Sequence, residues 1–344
     1  MTRTILITGA GGVGKTTLAA ALGVKAARSG MRTLVVTVDP ARRLASALGV
    51  EELGNEPQPH SEEPELWAAM LDASASWRAV AMRHADPDVA TRLADNEFFR
   101  AASEHFPASQ SYAAADQAAT FVQAQAWDLV IVDTPPSGGG IDFFAAPAQM
   151  AELVGGRLLR WLTGGPLPGR RAFYNIAAKP VLRIADSVLG SDLLERVAEF
   201  LLDLRTTYDG VAQRGREIER VLTSASIVVV TTSDPAPVRE AIKFYRDLPG
   251  LAASPTAVIF NRILPEEWAE ATAPPGTSLA LEQNLIRWSA ETLRQRDTRE
   301  EFASRYGARI ATIPWSLTPP TDLDGLARLL DESSELPWAA VGIS

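Results

Sequence analysis

The chain has 344 residues, 46% of them hydrophobic and 22% charged, a soluble globular composition and more length than one small domain needs. A formal net charge of −9 repels a phosphate backbone, and the one small basic cluster (Arg157, Arg160, Arg170, Arg171) is diluted by Gly and Pro, so no nucleic-acid partner is expected. With no cysteine, and only His60, His84 and His105 at spacings that match no ligand pattern, disulfides and cysteine–zinc sites are excluded and no zinc is expected.

The first predicted element is an apolar strand over 4–8, with no basic and long apolar leader before it. No run of 18 apolar residues occurs anywhere, so no spanning helix is predicted and the expected location is the cytoplasm. Further strands are predicted over 33–38, 129–132, 227–232, 256–260 and 309–313. Each is a continuous apolar run, the pattern of a parallel strand buried on both faces. Between them, residues 73–126 read as several Ala-rich helices with a break at Phe106-Pro107. Residues 143–222 also read as helical, split by the Gly/Pro loop 164–169. Within that stretch Ser191 is placed as the cap of a helix carrying Leu194, Val197, Leu201, Leu204 and Tyr208 at helical spacing. The predicted fold class is α/β, a mostly parallel sheet flanked by helices. Its core is expected at 1–142 and 223–344, including the helical segment 73–126, with a helical subdomain inserted at 143–222.

Gly9-Ala10-Gly11-Gly12-Val13-Gly14-Lys15-Thr16 fits G-x-x-x-x-G-K-[ST], with a predicted strand before it and a helix after it that ends near Gly30. Glycines let such a loop turn its N–H groups onto phosphate oxygens, and the helix adds its positive end. Lys15 is expected on the β- and γ-phosphates of ATP and the Thr16 hydroxyl on Mg2+. Thr17 completes the nucleotide-binding segment.

Two aspartates follow predicted strands. Asp133 stands at the carboxyl end of 129–132, the edge where open α/β sheets bind ligands, and is read as the partner of the Mg2+ shell. The stretch Thr134-Pro135-Pro136-Ser137-Gly138-Gly139-Gly140 after it mixes rigid and permissive residues, as a γ-phosphate sensor would. Asp39 in Asp39-Pro40-Ala41 has two readings. It is a helix cap before a proline, or it is a carboxylate that orients and deprotonates the attacking water. Asp234-Pro235 is assigned the capping role alone. Catalysis is thus placed on Lys15 and Asp39, and the metal shell on Thr16, Asp39 and Asp133.

Together these motifs resemble the ArsA family, which includes the guided-entry ATPases that target tail-anchored membrane proteins. The resemblance rests on the loop 9–17, on Asp39-Pro40-Ala41, on the stretch 130–138 and on a late strand ending in Asn261-Arg262. Asp133-Thr134-Pro135-Pro136-Ser137, then Ile141-Asp142-Phe143-Phe144 and Ala146-Pro147, are similar to an ArsA-like branch common in actinobacteria. The resemblance implies a P-loop NTPase fold of the SIMIBI type, a dimer and ATP hydrolysis. It also places Asn261 and Arg262 at the nucleotide, with adenine contacted by Asn261 and wrapped by the loop Pro314-Trp315-Ser316. No guanine-reading N-K-x-D follows, which favours ATP over GTP.

Three departures stand out. The family's usual loop begins G-K-G-G, its extra lysine reaching the partner's phosphates, whereas this chain has Ala10; Arg42 or Arg43 is a candidate substitute, as is a paralogous partner that carries the lysine. The Cys-x-x-Cys zinc clasp is missing, and so are the arsenite-binding cysteines, which disfavours an arsenite-pump role. The resemblance therefore implies a Mg-dependent ATPase, homodimeric or heterodimeric, that handles a hydrophobic or membrane-protein client. Phe143, Phe144, Met150, Leu153, Leu158, Leu159, Trp161 and Leu162 are either a client groove or ordinary packing. The alternative is a nucleotide-gated binding subunit with little hydrolysis of its own. A MinD- or ParA-like positioning ATPase is weaker, since the tail is acidic at Asp324, Asp331, Glu332 and Glu335.

Overall fold

The computed structural model describes residues 2–39, 43–72, 79–80, 82–105, 107–135, 138–155, 199–200, 203, 206–320 and 322–333. In chain order the strands are β1 (Arg3–Gly9), β2 (Thr33–Thr37), β3 (Gln58–Pro59), β4 (Leu66–Met70), β5 (Leu129–Asp133), β6 (Ser226–Thr231), β7 (Ala257–Ile263) and β8 (Ile310–Pro314). The helices used below are α1 (Lys15–Arg28), α2 (Arg43–Leu48), α3 (Pro87–Ala94), α4 (Glu97–His105), α5 (Pro107–Gln123), α6 (Gly138–Gly155), α7 (Tyr208–Ser224), α8 (Pro235–Asp247), α9 (Leu279–Tyr306) and α10 (Leu323–Asp331).

The strands form one eight-stranded sheet in the order β3-β4-β2-β5-β1-β6-β7-β8, parallel throughout except for the β3–β4 pair. All six predicted strands are present with ends shifted by up to three residues, and their continuous apolar character is explained by burial on both faces. Ile5, Ile7, Val35, Ile131 and Val228 are each at most 1% exposed and share a core with Leu18 and Leu22 of α1. Burying a side chain of that size contributes roughly 1.5–3 kcal/mol. Two strands were not predicted. Leu66-Trp67-Ala68-Ala69-Met70 holds no β-branched residue, and what makes it a strand is its ladder with β2, from Thr33 opposite Leu66 to Thr37 opposite Met70. Trp67 is further held edge-on to Trp127, with the Arg32 guanidinium over both rings at 5.3 and 5.0 Å.

β1 lies at the switch point of the sheet, with β5 on one side and β6 on the other. The register brings Thr37 and Ile7 opposite Asp133, so the carboxyl ends of β1, β2 and β5 open on one edge.

The chain divides into two compact units. The first comprises Met1–Asp72, Ala118–Phe144 and Arg220–Ser344; the second comprises Ala73–Gln117 and Ala145–Glu219. The Ala-rich helical stretch that the sequence placed with the core thus falls, up to Gln117, in the second unit. Around the predicted break, α4 ends at His105 and α5 begins at Pro107, while Phe106 lies outside the described residues. Inside the second unit Asp116, 1% exposed, accepts hydrogen bonds from the guanidinium groups of Arg83 and Arg214, and Asp203 accepts two from Arg92. The loop 164–169, the Ser191 cap with Leu194, Val197, Leu201 and Leu204, and the arginine cluster at Arg157, Arg160, Arg170 and Arg171 lie outside the described residues. So do Leu158, Leu159, Trp161 and Leu162, while Phe143, Phe144 and Met150 are buried. Among the described residues no helix is long and apolar enough to cross a membrane.

Candidate active site

The loop between β1 and α1 begins at Gly9, whose φ is +144°. A Cβ there would lie 2.1 Å from the Val230 carbonyl oxygen, so only glycine fits. It ends at Gly14, φ +101°, where a Cβ would meet the Asn261 Nδ2 at 2.3 Å. That same Nδ2 donates to the Val13 carbonyl at 2.8 Å, which ties the loop to β7. No acidic side chain occupies the first turn of α1, so the positive end of the helix is left for an anion.

Lys15 is 7% exposed and donates from Nζ to the carbonyls of Gly9 at 3.0 Å and Ala10 at 2.9 Å. Burial is the dominant influence on its ammonium and lowers its pKa, opposed by the negative charges of Asp133, Asp39 and Glu240. One residue on, the Thr16 hydroxyl donates to Asp133 Oδ2 at 2.6 Å, and the Thr37 hydroxyl donates to the same oxygen at 3.0 Å. Asp133 is 1% exposed, and that burial pushes its carboxyl up to about 6 despite the two hydroxyl bonds and the Lys15 charge. Its other oxygen, Oδ1, is buried without a hydrogen-bond partner. A buried carboxylate oxygen left over beside a threonine hydroxyl is a donor set for a hard cation that keeps its waters, and Mg2+ fits it. Among the described residues no three His, Asp or Glu side chains converge, so such a cation would rest on Thr16, Asp133, water and phosphate.

Asp39 follows β2. Its side chain is 17% exposed, its Oδ2 lies 3.5 Å from Arg43 Nη1, and its N–H donates to the Thr37 hydroxyl at 3.2 Å. Pro40, Ala41 and Arg42 lie outside the described residues, as do Pro136 and Ser137. A cavity of about 410 Å³ brings together Gly12, Gly14, Lys15, Thr16, Thr17, Asp39, Asp133 and Arg262. Gly9, Ala10, Gly11, Val13, Asn261, Pro314 and Trp315 are not part of its wall. Gly9 and Asn261 shape the loop instead. Arg262, at φ +61° beside a bulge in β7, reaches the wall, and Trp315, 44% exposed, donates its N–H to the Ile263 carbonyl at 2.8 Å.

Sequence reasoning missed Ser46, Ala47 and Pro320 in the wall and Thr37 behind Asp133, while Thr134, the first residue of the stretch read as a γ-phosphate sensor, is in the wall. Only Thr37 carried a signal, a hydroxyl at the end of a buried strand next to Asp39. At Asp234 a role needs correcting. It holds the residue position before α8, but its carboxylate accepts from the Thr232 hydroxyl at 2.8 Å and makes no bond to the helix.

This loop, strand-end aspartate and cavity stand in a chain that matches the anion-transporting ATPase (ArsA) family over residues 2–274. The chain belongs to that family. As an ArsA-family member it is a P-loop ATPase. It is 31% identical over 320 residues to an uncharacterized protein of Streptomyces coelicolor, covering 89% of this chain and 70% of that one. It is 24% identical over 279 residues to a protein of Aquifex aeolicus named as an arsenical pump-driving ATPase, covering 77% and 64%. It is also 24% identical over 151 residues to the ATPase GET3 of Rhodotorula glutinis, covering 44% and 42%. The chain therefore spans less than two thirds of the latter two relatives.

Proposed function

We propose that this ArsA-family chain is a Mg-dependent ATPase in which binding and hydrolysis of ATP switch a dimer that handles a hydrophobic or membrane-protein client. The observation that carries the nucleotide half is the 2.6 Å bond between Thr16 and Asp133 on the wall of a cavity that also holds Lys15 and Asp39. In this reading Lys15 exchanges the Gly9 and Ala10 carbonyls for the β- and γ-phosphates, and the loop N–H groups with the α1 N-terminus take up the remaining charge. Thr16 and Asp133 would hold Mg2+, which neutralises charge on the β- and γ-oxygens. Asp39 orients the attacking water and accepts its proton. Asn261 and Arg262 with Pro314 and Trp315 form the adenine side, around the strand ends of β7 and β8. A cytoplasmic setting, where ATP is supplied, suits this chemistry.

A protein partner is supported by the apolar residues exposed along α9, namely Leu279, Leu281, Ile286, Trp288 and Leu293. The arsenical-pump names of relatives are not carried over to this chain, which has no cysteine to bind arsenite.

The second reading, a nucleotide-gated binding subunit that needs a lysine-bearing partner, is favoured by one observation. Ala10, 5% exposed, stands where the usual loop of the family has a lysine. Steady-state hydrolysis at rising protein concentration, with Mg2+ and then with a chelator, separates the two. Turnover per chain should rise with concentration and stop on chelation if the chain is a self-sufficient dimeric ATPase. ATP binding with no turnover above background, and turnover restored by Ala10→Lys, would establish the second reading instead.

A further inference from the structure

A transition state that spreads charge over the γ-phosphoryl oxygens is stabilised by cations that can reach the phosphate end of the site. Among the described residues the cavity wall holds three cations, Lys15, Arg43 and Arg262. Lys15 belongs to the loop itself. Arg262 stands on β7, next to the Asn261 that ties down Val13 and Gly14, on the side away from β2. Arg43 opens α2, just after the strand end that carries Asp39, and shares the wall with Thr16 and Asp133. Its guanidinium is therefore on the side where Mg2+ and the γ-phosphate are placed.

Arg43 is also built to change partners. Its side chain is 60% exposed, and its contact with Asp39 is a single approach of 3.5 Å, longer than a hydrogen bond and not bidentate. A guanidinium prefers two parallel bonds to a phosphoryl group over one loose contact with a carboxylate, and the γ-phosphate carries more charge than Asp39 does.

We propose that Arg43 is the charge-stabilising catalytic residue of this ATPase, releasing Asp39 and taking the γ-phosphate when ATP binds. The inference rests on the ATPase reading above and adds an ordering to it. Arg43 approaches Asp39 before nucleotide binds, and a γ-phosphate that draws the guanidinium away removes that contact from the carboxylate that orients the water. In the chemical step the water oxygen bonds to Pγ and the bond from Pγ to the β–γ bridging oxygen breaks. The electron pair leaves with ADP, and the proton of the water passes to Asp39 and on to solvent. ADP lacks the group that makes the exchange, so Asp39 and Arg43 meet again in the product state.

The test compares wild type with Arg43→Ala and Arg43→Lys by equilibrium binding of Mg-ADP and of a non-hydrolysable ATP analogue, and by single-turnover hydrolysis. The ADP dissociation constant should change less than about threefold, while that of the analogue should rise about tenfold, so the preference for the γ-phosphate disappears. Turnover in Arg43→Ala should fall by a factor on the order of 100 to 1,000, with Arg43→Lys recovering only part of it. An equal change for both nucleotides would mean that Arg43 merely supports α2 and Asp39, and would overturn the proposal. So would wild-type turnover in Arg43→Ala. A wild-type chain that hydrolyses nothing would strike the ATPase reading instead, and the binding comparison would still decide whether Arg43 meets the γ-phosphate.

Discussion

Lys15→Ala should lower ATP turnover at least about a thousandfold, equivalent to roughly 4 kcal/mol of transition-state stabilisation. The size follows from where the ammonium sits. It is 7% exposed, spans the loop between the Gly9 and Ala10 carbonyls, and lies among the charges of Asp133, Asp39 and Glu240. A cation in that water-poor position acts on a transferring phosphoryl group far more strongly than one in bulk water. Alanine leaves two carbonyls near the cavity that water can satisfy, so the fold should survive and the melting temperature should stay within a few degrees of wild type. Single-turnover hydrolysis beside a thermal melt checks both halves. Turnover within about tenfold of wild type, from a folded variant, would remove Lys15 from the mechanism.

The second large effect has opposite signs for stability and activity. At neutral pH Asp133 is a buried carboxylate whose pKa is raised from 3.8 to about 6. Between those values the folded chain holds the proton and the unfolded chain does not. The stability this group contributes is complete below 3.8 and is lost as pH rises through about 6. Above that range the charged form is retained at a cost of up to about 3 kcal/mol. Asp133→Asn keeps an oxygen for the Thr16 and Thr37 hydroxyls and removes the charge, so it should stabilise the protein by about 1–3 kcal/mol at pH 8. The gain should shrink toward zero at pH 4. Hydrolysis with Mg2+ should nevertheless fall by a factor on the order of 100 or more, because the carboxylate proposed to hold the metal is gone. Melts of both proteins at pH 8 and near pH 4 settle the sign. A variant destabilised equally at the two values would show that Asp133 is held by its hydrogen bonds and not strained by its charge.

How much was readable in advance depended on how local each feature is. The loop from Gly9 to Thr16 could be read because its chemistry is consecutive. Glycines supply the turn, Lys15 and Thr16 follow at fixed spacing, and the helix after them gives the dipole. The six predicted strands were legible for a similar reason, since burial on both faces writes an unbroken apolar run into the chain. β4 was not, because Leu66-Trp67-Ala68-Ala69-Met70 has no β-branched residue and only Trp67 favours a strand, so its ladder with β2 makes it one. Asp39 was legible as a candidate but not as a member of a pair, since its 3.5 Å approach to Arg43 depends on how α2 leaves the strand end.

The amino-acid sequence alone determined that this is a P-loop α/β chain of the ArsA type, without the cysteines of the zinc clasp and without the second loop lysine. Those facts are residue identities, and no folding is needed to establish them. Tertiary structure decided which distant groups meet at the glycine loop and Asp133. Thr37 and Thr16 converge on one oxygen of Asp133 across 96 and 117 residues of chain, and Asn261 fixes the loop from 248 residues away. It also decided that Ser46, Ala47 and Pro320 share the wall with Lys15. Sheet order and strand register set those meetings, and both come from pairing between segments whose separation along the chain carries no local signal.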